Sequence, residues 1–247
     1  MKEITSFENL STEVKQVKYY NIIYTRHINP DGSVGGFVAE TAKVETTVYI
    51  SGEARVSGEA RVSGKARVYG EARVYGKARV YGKARVYGEA RVYGKAQVYG
   101  EAQVYGKARV YGEYGKARVY GEARVYGKAQ VYGEAQVYGE ARVYGKAQVY
   151  GKARVYGKAR VYGEARVYGK AWVYGEAQVY DDHIIAILKT IQVFQYCISI
   201  TPKYVFCGCE KWTHAQIKTL TYEKSKQYMT KEKFAILKKI VLLGIKF

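Results

Sequence analysis

Gly70-Glu71-Ala72-Arg73-Val74-Tyr75 is the phrase that decides the fold, and from about Gly36 to Tyr180 the chain consists of little else. The regular copies keep Gly, Ala, Val and, in most cases, Tyr, while Glu alternates with Lys in the second slot and Arg with Gln in the fourth. Ala72-Arg73-Val74-Tyr75 alternates inward and outward side chains if extended, so Ala72 and Val74 share one face and Arg73 and Tyr75 the other. Gly76-Lys77 then interrupts the strand where glycine lets the backbone turn. A four-residue strand with a two-residue corner cannot bury its apolar face alone, whereas stacked copies share one continuous core.

A helix does not fit. Ala72, Val74, Ala78 and Val80 are spaced two, four and two apart, which does not follow a 3.6-residue stripe. A glycine in every sixth position would also cost a helix about 1 kcal/mol each time. Neither a heptad nor a glycine in every third position is present, which excludes coiled coil and collagen. The expected fold class is all-β, a β-solenoid.

The residues carry a resemblance. Val56, Val62, Val68 and Val74 fill an aliphatic slot every six residues, and Ala54, Ala60, Ala66 and Ala72 fill a small slot two positions earlier. This resembles the left-handed β-helix of hexapeptide-repeat proteins, related in fold to the hexapeptide-repeat transferases. The resemblance implies three hexads per triangular coil and a left-handed, single-stranded β-helix. Periodicity alone allows two strands per coil as well. The position after the aliphatic residue, often small in the family's enzymes, is mostly Tyr here.

The chain has 247 residues, two prolines, three cysteines and a net charge of +19. Met1-Lys2-Glu3-Ile4-Thr5-Ser6 is polar and reads as no secretory signal. No apolar run reaches the roughly 20 residues that a bilayer requires, so no membrane insertion is expected. Three cysteines outside the repeat make no disulfide framework, and the expected compartment is cytoplasmic. Residues 51–180 carry 25 basic and 11 acidic side chains, so the surplus sits mainly on the repeat. A field of that sign attracts polyanions such as nucleic acid or acidic glycans, and it also keeps a bare surface soluble.

Residues 1–35 read as an N-terminal cap, 36–180 as the repeat and 181–247 as an α+β C-terminal cap. In the first, Gln16–Tyr24 reads as a strand and Asn29-Pro30-Asp31-Gly32 as a turn. A cap covers strand edges that otherwise invite aggregation. Gly35-Gly36-Phe37-Val38 and Thr41-Ala42-Lys43-Val44 resemble the lead-in of uncharacterised bacterial and phage hexapeptide-repeat proteins. The six-residue register already runs from Val38 through Val44, Ile50 and Val56. It slips once, at Tyr111-Gly112-Glu113-Tyr114-Gly115-Lys116, where Val110 is followed nine positions later by Val119. Either three residues bulge at a corner or half a unit is missing. The bulge is favoured, because a half-unit slip puts the wrong residues into every later core position. Aliphatic positions number 13 before the slip and 11 after it, which makes eight coils at three hexads each. Such a rod is about 40 Å long. After Tyr180, Ile184–Leu188, Ile191–Ile200 and Tyr204–Cys207 read as strands. Thr213-His214-Ala215-Gln216 reads as a capping box, and a second helix begins near Thr230.

From Arg55 to Gln178 the outward slot between Ala and Val holds 14 Arg, 6 Gln and Trp172. With the bulge register all three faces are similarly basic. Arg55, Arg73, Arg91 and Arg109 are the candidate polyanion contacts on one of them. The tyrosines, 19 of them following core valines, are expected to stack against one another and stiffen the wall.

Cys207, Cys209 and His214, with Cys197 nearby, are candidate soft metal ligands, but C-x-C spacing is atypical for zinc and buried strand cysteines are common. No metal and no cofactor is therefore expected. No histidine occurs between Gly36 and Tyr180, where hexapeptide-repeat acyltransferases carry their base and carbonic anhydrases of this fold their zinc ligands. The array also lacks an isolated acid–base pair, and fold alone does not supply an activity. The expected function is a non-enzymatic rigid rod, a structural or interaction element that self-associates or meets a protein partner. Two alternatives are polyanion binding through the Arg and Tyr ladders, and an acyltransferase-like enzyme that recruits His183 or His214.

Overall fold

A computed structural model describes residues 2–7, 10–11, 13–112, 115–180, 184–185, 189–193, 196–200, 204–207, 210–224 and 230–245. The repeat winds into a β-solenoid of eight turns, each turn placing one short parallel strand on each of three faces. On the first face Arg73 and Val74 pair with Arg55 and Val56 on one side and with Arg91 and Val92 on the other. Arg79 lies between Arg61 and Gln97 on the second face, and Arg85 between Arg67 and Gln103 on the third. Three hexads per turn is therefore the arrangement, so identical residue types stack on one another.

Most strands are only an Arg-Val or Gln-Val pair, shorter than the four residues expected, yet the ladder bonds extend beyond them. The Arg73 amide donates to the Ala90 carbonyl at 2.9 Å and the Tyr75 amide to the Val92 carbonyl at 3.0 Å. The inward side chains form one core in which each Ala and Val from Ala54 to Val179 is at most 4 % exposed. Burying a valine this completely contributes about 1.5–2 kcal/mol. The corner needs glycine for two reasons. Gly76 sits at φ +68°, and a Cβ there would stand 3.0 Å from the Gly94 nitrogen on the next turn.

The register slip is a corner insertion. Arg109–Gly112 stacks on Arg91–Gly94, and the next strand, Arg118–Val119, stacks on Gln97–Val98 of the second face. Ala117 and Val119 return to the core fully buried. The insertion thus falls between Gly112, at the end of a first-face strand, and Arg118, which begins one on the second face. Two of its residues, Glu113 and Tyr114, fall outside the described residues.

At the N-terminal end, Gln16–Tyr19 and Ile22–Ile28 form an antiparallel hairpin, and Ile22–Ile28 pairs antiparallel with Val34–Ala39, the first strand of the first face. Reading Gln16–Tyr24 as one strand was an error. Tyr20 and Asn21 take φ 45° and 61°, a two-residue turn inside an apolar run. The Asn29–Gly32 turn is present, its Gly32 amide donating to the Asn29 carbonyl at 2.9 Å. Asn29 is buried and accepts from the Ile50 amide at 2.8 Å, which ties the hairpin to the third face. Phe7, Val17, Tyr24, Phe37 and Ala39 form a small core of their own.

Beyond Tyr180, Ile184–Ile185 adds a last rung to the first face. A four-stranded antiparallel sheet follows: Lys189–Val193, Tyr196–Ile200, Tyr204–Cys207 and Glu210–Thr213. Ile191–Ile200 is therefore two strands, and Glu210–Thr213 is a strand that sequence reading missed. Helix α1 (His214–Thr219) starts at the expected capping box, with the Gln216 amide donating to Thr213 Oγ1 at 3.2 Å. Helix α2 (Lys231–Ile245) packs Leu237 and Val241 against Ile200, Val205 and Ile217. Among the described residues, no helix is long and apolar enough to cross a membrane.

Candidate functional site

The outward side chains form ladders, and their geometry follows from the in-register stack. Tyrosines make three files, one per face, with ring centroids 4.7–5.4 Å apart and interplanar angles of 1–20°. The files keep 4.7–4.9 Å along most of their length and widen at the last pair of each, reaching 5.4 Å between Tyr162 and Tyr180. Gln103, Gln130, Gln136, Gln148 and Gln178 each accept from the tyrosine one rung earlier. Tyr87 reaches Gln103 Oε1 at 3.2 Å, and Tyr120 reaches Gln136 Oε1 at 3.3 Å. Partial burial, and then the neighbouring phenols, push the hydroxyl of Tyr87 above its usual pKa, and Tyr105 and Tyr120 behave the same way.

Arg55, Arg73, Arg91 and Arg109 occupy four successive rungs of the first face. They are not equivalent. Arg55 lies under the N-terminal hairpin, its guanidinium 4.6 Å from the Phe7 ring, and its Nε is buried without a hydrogen-bond partner. Desolvation, then the positive charge of Arg73, pulls its pKa down. Arg55 and Arg73 line a cleft of about 200 Å³ with Thr5, Ser6, Glu53 and Glu71. The corners leading into the first three of these arginines carry Glu53, Glu71 and Glu89, so carboxylates stand beside them.

A second polar cleft, about 310 Å³, opens at the insertion and is lined by Lys95, Gly115, Lys116, Arg118, Glu134 and Gln136. Sequence reading saw Glu and Lys mixed in the corner slot of every face and did not compare the edges. Assigning a corner residue to one edge of the rod needs the register, and the nine-residue step from Val110 to Val119 was the signal that fixed it.

The candidate chemical groups lie apart. His27 Nε2 is bonded to the Val48 carbonyl at 2.8 Å and serves the N-terminal hairpin. His214 opens helix α1, while His183 and Cys209 lie outside the described residues. Cys197 and Cys207 sit on neighbouring strands of the C-terminal sheet, Cys207 opposite Ile198. Among the described residues, no three His, Cys, Asp or Glu side chains gather as a metal set.

A family profile described as the YdcK beta solenoid repeat matches residues 54–70, 66–82, 84–100, 117–133, 135–151 and 159–175. The matched segments fall within the array on both sides of the insertion and skip the insertion itself. No curated protein and no solved structure matches the chain. The ladders, the Ala/Val core and the profile agree: this chain is a β-solenoid repeat protein.

Proposed function

We propose that the protein is a rigid, non-enzymatic rod of the hexapeptide-repeat kind, wound as a left-handed β-helix, and that it serves as a structural or interaction element. Segments 1–35 and 181–247 act as its caps. The observation that carries this reading is the stack of like on like through eight turns in core and backbone, joined from Tyr69 onward by the tyrosine files. Each rung is held on both sides by the same contacts, so bending at one rung strains many bonds together.

The test is a distance measurement. Spin labels at exposed Lys65 and Glu176, six rungs apart, are introduced with Cys197, Cys207 and Cys209 changed to Ser. A rigid rod gives a narrow distribution centred at about 30 Å. A broad one overturns rigidity. Acyl transfer from an acyl-coenzyme A by the pure protein, lost in a His214→Ala variant, would overturn the non-enzymatic part.

A further inference from the structure

The three edges of the rod differ in charge, and the difference appears when corner residues are assigned to edges through the register. Each edge is a strip: a crest of corner residues followed by the outward row of the next face. The strip between the first and second faces holds Arg61, Arg79, Arg118 and Arg154 with five lysines, against Glu59 and Glu134, a surplus of seven. Counting Glu113 of the insertion against it leaves six. Each of the other two strips holds five arginines and three lysines against four glutamates, a surplus of four.

Both glutamates of the basic strip are engaged by neighbours on the same crest. Glu59 meets Lys77 at 3.5 Å, and Glu134, which faces the 310 Å³ cleft, is drawn to Lys152 at 3.9 Å. Lys95 and Lys116 lie on adjacent rungs at the centre of the crest, both exposed, and neither is ion-paired among the described residues. Arg118 and Gln136 form the other wall of the same cleft. Gln136 Oε1 accepts from the Tyr120 hydroxyl, which leaves that amide two N–H donors and one lone pair.

We infer that this strip, centred on Lys95, Lys116 and Arg118, docks an acidic polysaccharide lying along the rod. The inference rests on the reading of the array as a rigid interaction element and adds the surface and the ligand class. Three features select the ligand. Lys77, Lys95 and Lys116 occupy three successive rungs of the crest, at a rung spacing of 4.8–4.9 Å as judged from the tyrosine rings, which suits a nearly straight chain with one carboxylate or sulfate per sugar. The phosphates of a duplex wind about its axis, so a straight row meets them only where a backbone crosses it. Single-stranded nucleic acid needs open aromatic faces for its bases. Here both faces of Tyr93, Tyr111 and Tyr132 are covered by neighbouring rings at 4.8–4.9 Å. The N–H donors of the Gln136 amide remain for sugar hydroxyls.

The experiment uses the full chain with polygalacturonate and dextran sulfate in titration calorimetry at low ionic strength, with a DNA duplex and an oligothymidylate as comparators. Binding to at least one polysaccharide is expected, weakening steeply as salt is raised. Lys95→Gln/Lys116→Gln lowers that affinity by about tenfold. Lys65→Gln/Lys158→Gln, the same charge change on the next edge, lowers it by less than about twofold. No binding to either polysaccharide, equal loss in the two variants, or tighter binding to either nucleic acid overturns the inference. The spin-label distance is independent of all three outcomes, so a failed docking strip and a failed rod are distinguishable.

Discussion

The repeat core and the core under the N-terminal hairpin solve the same problem with opposite means. In the repeat, Ala and Val recur on every rung at near-zero exposure, and any one contact has many copies. Under the hairpin, Phe7 meets Tyr19, Tyr24 and Phe37 edge-on at 5.0, 4.9 and 5.4 Å, and each of these contacts occurs once. A lesion in the array is local and shared with intact neighbours. One in the hairpin removes a contact that nothing duplicates, at the end where the first rung would otherwise show an open edge. The largest expected effect follows. Phe7→Ala destabilises by about 3–4 kcal/mol and also uncovers the half-buried Arg55, whereas Val104→Ala in mid-array costs about 2 kcal/mol. Urea unfolding with size-exclusion chromatography compares them, and the Phe7 variant alone is expected to self-associate. Equal losses without association would erase the distinction.

Glycine separates the two regions a second way. Gly32, in the turn between Ile22–Ile28 and Val34–Ala39, has φ +81° with nothing within 4 Å of a new Cβ, while Gly76 has φ +68° with the Gly94 nitrogen 3.0 Å away. Alanine at Gly32 therefore meets only the backbone preference, about 1 kcal/mol. Alanine at Gly76 meets that and a backbone contact that cannot move without the next rung, for about 2–3 kcal/mol in all. Thermal melts of the two variants rank the effects. The reverse order would mean that the rungs give way more easily than their packing implies.

The sequence was most legible where it repeats. Val56 through Val110 showed the period, and the step to Val119 gave the register that the pairing of Arg118 with Gln97 confirms. The faces could then be read residue by residue, R-R-R-R-Q-Q-R on the first. Legibility failed where one residue overrides a local pattern. Gln16–Tyr24 is apolar and aromatic enough to read as one strand, and only Asn21, a residue that tolerates positive φ, marked the turn. The burial of Arg55 was hidden because its cover, Phe7, comes from a distant stretch with no periodic link to it. The charge surplus of one edge was hidden differently. Every corner letter was visible, but whether a lysine has a carboxylate on the adjacent rung depends on stacking, not on sequence neighbours.

The phenol files supply a pH-dependent difference of smaller size. Burial and neighbouring tyrosines hold Tyr87, Tyr99, Tyr105, Tyr120, Tyr132, Tyr138 and Tyr144 above the ordinary phenol pKa. The folded chain thus keeps protons that the unfolded chain gives up at about pH 10. That contribution is complete below the unfolded value and is lost as pH rises through the folded ones. The melting temperature should hold up to about pH 9 and then fall, with phenolate absorbance lagging in the folded protein. Tyr105→Phe should soften the fall. A melting temperature that rises through this range would show that the stacked phenols are not the groups responsible.

The smallest effect is expected from the charged crests, where bond geometry and stabilisation part company. Lys83 reaches Glu101 at 2.9 Å with both side chains more than half exposed. The hydrogen bond from Lys83, then its charge, holds the Glu101 carboxyl below its usual pKa. Stability linked to it is present above the unfolded carboxylate value and lost as pH falls through the lowered one. Water and salt screen such a pair, so little stability accompanies the shift. Lys83→Met should move the Glu101 midpoint, followed by carboxyl NMR, back up toward the ordinary range while leaving the melting temperature where it was. A large drop in melting temperature would mean that the crests hold the turns together, and the core valines would no longer account for the array's stability alone. An unmoved midpoint would mean that Lys83 and Glu101 do not meet in solution. The crest would then present its charges singly, which would narrow the contrast between Lys83 and Lys95 and Lys116, which have no ion pair among the described residues.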